Sequence, residues 1–253
     1  MIHLESIQHW FDGPGGQTKV VDGVDLTIKR GEFVVLIGHS GCGKSTLMNM
    51  VSGLFPPSSG RVLYNDKPLT GVNTAVGYVT QRDTLLPWRT VAGNVGLPLE
   101  VRRVGEKERT QRVQSAIRMV GLEGFERHFP RQLSGGMRRR ILIARTLIYE
   151  PETLLLDEPF GGLDAQTKLL MQNELMRLWQ DLRQTVLFVT HDLDEAIALA
   201  DRIIVLTPRP CRIKEIFQVH IPRPRDVVGI RSLPEYQAVQ QALWNALKEE
   251  AEV

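Results

Sequence analysis

The stretch Gly38-His39-Ser40-Gly41-Cys42-Gly43-Lys44-Ser45-Thr46 sets three glycines ahead of a lysine and two hydroxyl side chains, the pattern of a phosphate-binding loop. Glycines at these places let backbone N–H groups turn toward phosphate oxygens. Lys44 has the reach for β- and γ-phosphates, and Ser45 offers a hydroxyl to Mg²⁺. Thr46 would hold phosphate at the positive end of the helix that follows.

Such a loop needs a carboxylate to hold Mg²⁺ through water, and Leu154-Leu155-Leu156-Asp157-Glu158 supplies one at the end of an apolar run. Asp157 is expected to take that role. Glu158 beside it is the expected general base for the attacking water, because one carboxylate cannot easily serve both tasks. A second glycine-rich helix start, Leu133-Ser134-Gly135-Gly136-Met137, offers another anion site through Ser134 and the N–H groups of Gly135 and Gly136.

These residues need strands and helices to hold them. The run Glu32 to Ile37 is short, apolar and β-branched and ends in the glycine loop, after which Thr46-Leu47-Met48 reads as helix. Similar runs at 75–79, 153–156, 186–189 and 203–206 predict buried strands of a mostly parallel sheet. Between Pro87 and Glu150 the pattern changes, with Val113, Ile117 and Val120 at helical spacing, which predicts a helical insertion. Beyond Pro222 and Pro224, Tyr236, Val239, Leu243 and Leu247 fall on one face of a terminal amphipathic helix.

Composition narrows the function classes. The 253 residues suit one large domain, 42% hydrophobic and 24% charged, with a formal net charge of only +2. That balance argues against a nucleic-acid partner. Two cysteines, Cys42 and Cys211, make no disulfide framework and fit a reducing compartment. With no bilayer-length apolar run and no signal-peptide pattern, membrane association is expected to go through a partner.

The phosphate loop together with Leu133 to Met137 resembles the ATP-binding subunits of ABC transporters, and the likeness runs from Leu4 to about Asp201. It implies an α/β fold: a P-loop NTPase (RecA-like) core with a mainly parallel sheet, an N-terminal antiparallel β-subdomain and an inserted α-helical subdomain. Within a single domain of residues 1–253, residues 1–86 and 150–221 would form the core, 87–149 the helical signature subdomain and 222–253 a helical tail. The resemblance assigns ATP and Mg²⁺ to the loop Gly38 to Thr46, with Ser45, Gln81 and Asp157 toward the metal. Gln81 resembles the Q-loop glutamine that meets Mg²⁺ and the attacking water, and His191 the switch histidine on the γ-phosphate. Asp164 of Gly161-Gly162-Leu163-Asp164 resembles the D-loop aspartate, with Gly162 where alanine is usual, which loosens that loop. Phe11 stands where an adenine-stacking tyrosine is expected, with Trp10 an alternative. The middle arginine of Arg138-Arg139-Arg140 stands where glutamine is frequent.

The same resemblance implies a head-to-tail homodimer in which Ser134, Gly135 and Gly136 of one subunit complete the ATP site of the other. It implies transmembrane permease subunits, indirectly a substrate-binding protein, and a peripheral place on the cytoplasmic face of the inner membrane. Leu85-Leu86-Pro87-Trp88 would wall the groove that meets the permease. That segment and the tail from Pro208 to Asp226 resemble importers of nitrate, sulfonate, taurine or bicarbonate, and the extra regulatory domain of sugar importers is not expected. Three other readings compete: a non-transport ABC ATPase, a phosphate-loop kinase and a non-catalytic nucleotide module. The first would carry long coiled-coil or zinc insertions or two motor units; the second has no use for Leu133 to Met137; the third should lack Glu158 or His191.

Overall fold

A computed structural model describes residues 1–248; the end of the expected tail, residues 249–253, lies outside the described residues. The sequence periodicities resolve into two sheets sharing one core. The larger has the order β10-β9-β3-β8-β7-β6, built from β3 (Phe33–Ile37), β6 (Val76–Val79), β7 (Thr153–Asp157), β8 (Thr185–Val189), β9 (Arg202–Leu206) and β10 (Ile213–Gln218). All neighbours pair parallel except β10, which runs antiparallel to β9 at the edge. The continuous apolar runs of β3, β7 and β8 are buried along their whole length, as strands covered on both faces must be.

Alternation along β3 divides the core in two. Phe33, Val35 and Ile37 point into a cluster with the helices, whereas Val34 and Leu36 point to the other face. On that second face lie helix α1 (Lys44–Val51) and an antiparallel sheet of order β2-β1-β4-β5. Its strands are β1 (Ile2–Gly13), β2 (Gly16–Ile28), β4 (Ser59–Tyr64) and β5 (Lys67–Pro68), with Ile2, Leu4 and Ile7 buried beneath.

The segment between the phosphate loop and β7 carries the helices α2 (Val91–Val101), α3 (Glu106–Met119) and α4 (Gly135–Leu147). The predicted face of α3 is buried, with Val113, Ile117 and the following Val120 packed inward. Asn94 of α2 is fully buried; its amide donates to the carbonyls of Leu86, Arg89 and Thr90, and its oxygen accepts from Leu86 N–H. This fixes the segment carrying Trp88, whose ring stays 70% exposed.

After α5 (Ala165–Leu182) and α6 (Leu193–Leu199), the proline-rich tail is anchored by two arginines. Arg225 donates to the carbonyls of Ile197, Ala198 and Ala200, capping the C-terminal end of α6, and Arg223 stacks 4.2 Å over Trp179 while pairing with Asp201. Helix α7 (Pro234–Lys248) buries Tyr236 and Leu243, and Tyr236 Oη donates to Asp194 of α6 at 2.5 Å.

Candidate functional site

The phosphate loop leaves the carboxyl end of β3, the edge at which parallel sheets gather ligands. A cavity of about 360 Å³ opens there, lined by Ser40, Gly41, Gly43, Lys44, Ser45 and Thr46 from the loop, by Asp157 at the end of β7 and by Gln81 and Glu158 just beyond β6 and β7. Lys44 folds over its own loop, donating to the carbonyls of Gly38 and His39 at 2.8 Å each. Gly43 takes φ +128°, and a Cβ there would lie 3.0 Å from Cys211 Cβ, so both the turn and the close packing require glycine. The Cys42 side chain is buried away from this cavity, toward Lys44 and Cys211; of Cys42 only the backbone can serve a phosphate.

Asp157 ends β7 and accepts a hydrogen bond from Ser45. Burial raises its carboxyl above the usual range, the Ser45 bond opposes this, and the neighbouring Glu158 charge adds to it. Ser45 and Asp157 thus place hydroxyl and carboxylate oxygens together, a donor set that fits Mg²⁺. Glu158 stands at φ +47°, a strained backbone for a non-glycine residue, secured where its N–H donates to Val189 O at 3.0 Å. Its carboxylate meets Gln81 Nε2 at 3.3 Å and His191 Nδ1 at 3.4 Å. Two of the sequence candidates, Gln81 and His191, therefore converge on the carboxylate of a third, Glu158, at the mouth of the cavity.

The clamp that holds this arrangement was not evident from sequence. Arg139 is buried, and its guanidinium donates to the carbonyls of Thr80, Asp157, Glu158 and Pro159 at 2.6 to 2.8 Å. One side chain of α4 thereby ties the Gln81 loop to the end of β7. Arg138 adds a bond to Asp83, and Arg145 binds Thr84. An arginine triplet reads as a solvated face; its burial follows only from the packing of α4 against two loops.

Ser134 caps α4, accepting from Met137 N–H at 3.2 Å, and Gly135 beside it is exposed. Ser134, Gly136 and Asp164 do not line the cavity around Lys44, so a single chain does not bring them to the phosphate loop. Gly135 instead shares a second cavity with Gln81, Glu158, Gly161, Gly162 and His191. Asp164 caps α5 through Thr167 N–H, whose hydrogen bonds hold its carboxyl below the usual range. Gly162 takes φ +76°, so glycine there serves a left-handed turn. Phe11 lines the cavity and packs edge-on against His9 and Phe55, whereas Trp10 lies under Lys19 at 5.1 Å and not in the cavity.

Residues 21–161 match the family model described as ABC transporter. The chain belongs to the ABC transporter family. It is 45% identical over 236 residues to the bicarbonate transport ATP-binding protein CmpD of Synechococcus elongatus, covering 92% of this chain and 85% of that one. The nitrate import ATP-binding protein NrtD of the same organism is 41% identical, covering 93% of this chain and 87% of that one. Among solved structures, the dimeric bacterial ABC transporter cassette MJ0796 aligns with a TM-score of 0.81 and 32% identity over 88% of this chain and all of that one. A second structure of that cassette, in a post-hydrolysis state bound to ADP and Pi, aligns with a TM-score of 0.80. The ABC resemblance in the sequence, the P-loop core and the antiparallel N-terminal sheet are all borne out. The protein is an ATP-binding, ATP-hydrolysing ABC subunit, and no helix among its described residues is long and apolar enough to cross a membrane.

Proposed function

We propose that this ABC subunit works as a head-to-tail homodimer with two Mg-ATP sandwiched between subunits, driving a separate membrane permease. The observation that carries this reading is the division of the chemistry. Lys44, Asp157 and Glu158 lie in one cavity, whereas the capped, exposed helix start at Ser134 and Gly135 lies outside it. A helix N-terminus aimed at solvent is a ready anion site, and a second copy of the chain would bring it to the γ-phosphate.

In each site the loop N–H groups and Lys44 would hold the phosphates, with Phe11 against adenine. Ser45 and Asp157 would hold Mg²⁺, whose chemistry is to neutralise developing charge on the phosphate oxygens. Glu158 would take the proton from an attacking water that Gln81 and His191 help to place. Loss of the γ-phosphate removes the contacts that close the dimer, so hydrolysis becomes a mechanical step.

The cargo we infer is a small inorganic or sulfonate anion taken up with the help of a substrate-binding protein. The support is the naming of CmpD for bicarbonate and NrtD for nitrate at 45% and 41% identity. The subunit would then sit on the cytoplasmic face of the inner membrane, held there by the permease. A core of residues 1–86 and 150–221, a helical insertion at 87–149 and a tail from 222 onward remain our division of this single domain.

Light scattering on Glu158→Gln with and without Mg-ATP tests the sandwich. An ATP-dependent shift from monomer to dimer supports it. A monomer that binds ATP tightly yet never dimerises counts against it.

A further inference from the structure

Arg209 reaches the phosphate loop from a segment 168 residues further along the chain. It lies in the connection 207–212 between β9 and β10, and its Nη2 donates to the Gly41 carbonyl at 3.0 Å. Its side chain lines the same cavity as Phe11, Thr18, Lys44 and Ser45. Among the described residues no ion pair engages it.

The mount is fixed from several sides. Thr207 N–H donates to Arg212 O at 3.0 Å, and Arg212 N–H returns to Thr207 Oγ1 at 2.9 Å. Cys211 N–H donates to Val20 O at 2.8 Å, Asp22 N–H to Cys211 O at 2.9 Å, and Arg212 pairs with Asp22. Pro208 and Pro210 on either side restrict the backbone further. A braced connection therefore presents one exposed guanidinium to the cavity. Its bond to Gly41 leaves further N–H donors of the planar guanidinium for a charged oxygen acceptor.

We propose that Arg209 is a further nucleotide-binding residue, its guanidinium pairing with the polyphosphate of the bound nucleotide while it braces Gly41. This rests on the reading of the Lys44 cavity as the ATP site. Phosphate suits the position because a guanidinium binds it with charge and geometry together. The base end of the cavity is already served by Phe11.

The test is the dissociation constant of a fluorescent ATP analogue, measured cold and without Mg²⁺ on the full chain. The variants are Arg209→Ala, Arg209→Gln, Arg209→Lys and Lys44→Ala, each checked for unchanged fold by circular dichroism. Charge pairing predicts about tenfold weaker binding for Arg209→Ala and Arg209→Gln, near recovery for Arg209→Lys, and a shallower salt dependence in the neutral variants. Glutamine keeps a donor for Gly41 without the charge. Wild-type affinity in Arg209→Gln would therefore reduce Arg209 to a brace and overturn the proposal, as would wild-type affinity in Arg209→Ala. Lys44→Ala separates the two readings: unaltered binding there defeats the ATP site itself, whereas loss there with intact Arg209 variants defeats only Arg209.

Discussion

His191 Nδ1 lies 3.4 Å from Glu158 Oε1, across the gap between the ends of β8 and β7. The Glu158 carboxylate, which His191 shares with Gln81, is held on a left-handed backbone that glutamate does not adopt without support. Glu158→Gln keeps the shape and removes the carboxylate proposed as the base. It should lower kcat by about 10²- to 10⁴-fold with ATP affinity retained, measured by phosphate release and equilibrium binding. Hydrolysis at the original rate would remove Glu158 from the chemistry.

Arg139 should matter as much for stability as for turnover. Replacing it by alanine strips donors from the Thr80, Asp157, Glu158 and Pro159 carbonyls at once. Buried acceptors left without partners cost about 1–3 kcal/mol each, softened where water enters, so the expected loss is roughly 2–4 kcal/mol. Urea unfolding of Arg139→Ala measures it. Arg139→Lys should keep the charge yet satisfy fewer carbonyls, with stability between the two; equality with wild type would mean the fork geometry is idle.

Cys42 gives a pH dependence that can be isolated. A hydrogen bond from Cys211 and the nearby Lys44 charge pull its thiol down to about 6 from an ordinary value of 9.0, against the opposing effect of burial. The folded state then binds fewer protons than the unfolded state between those values, so the thiolate adds stability as pH rises from about 6 toward 9. That contribution is lost as pH falls through the folded value. Urea midpoints measured across this range should rise more steeply in wild type than in Cys42→Ser. Parallel curves would show that the thiol stays protonated.

Local pattern made the strands β3, β7, β8 and β9 legible because strands covered on both faces must be apolar throughout. The phosphate loop was legible for a related reason, since glycine spacing is itself the backbone requirement. Gln81 and His191 became readable only through resemblance to a family, because a lone polar residue after a strand carries no local signal. Arg139 and Arg209 were missed as site residues. Each acts through a fold-dependent contact, Arg139 with loops about 20 and 59 residues away and Arg209 with a carbonyl 168 residues away, and no short window of sequence contains both partners.

Trp88 presents the clearest case of a side chain that the isolated chain leaves unused. Asn94 and Leu86 pin the backbone beside it, yet the indole is 70% exposed, so packing within this chain does not explain its place. An aromatic ring on a fixed mount loses little entropy when a partner covers it, and such anchors typically cost about 2 kcal/mol or more when truncated. Trp88→Ala should hydrolyse ATP like wild type as an isolated chain but bind its membrane partner roughly thirtyfold more weakly. Basal phosphate release, co-purification with the permease and uptake of labelled anion read these separately. Normal uptake with normal co-purification would place the permease contact elsewhere on the surface, and loss of basal hydrolysis would make Trp88 a structural residue.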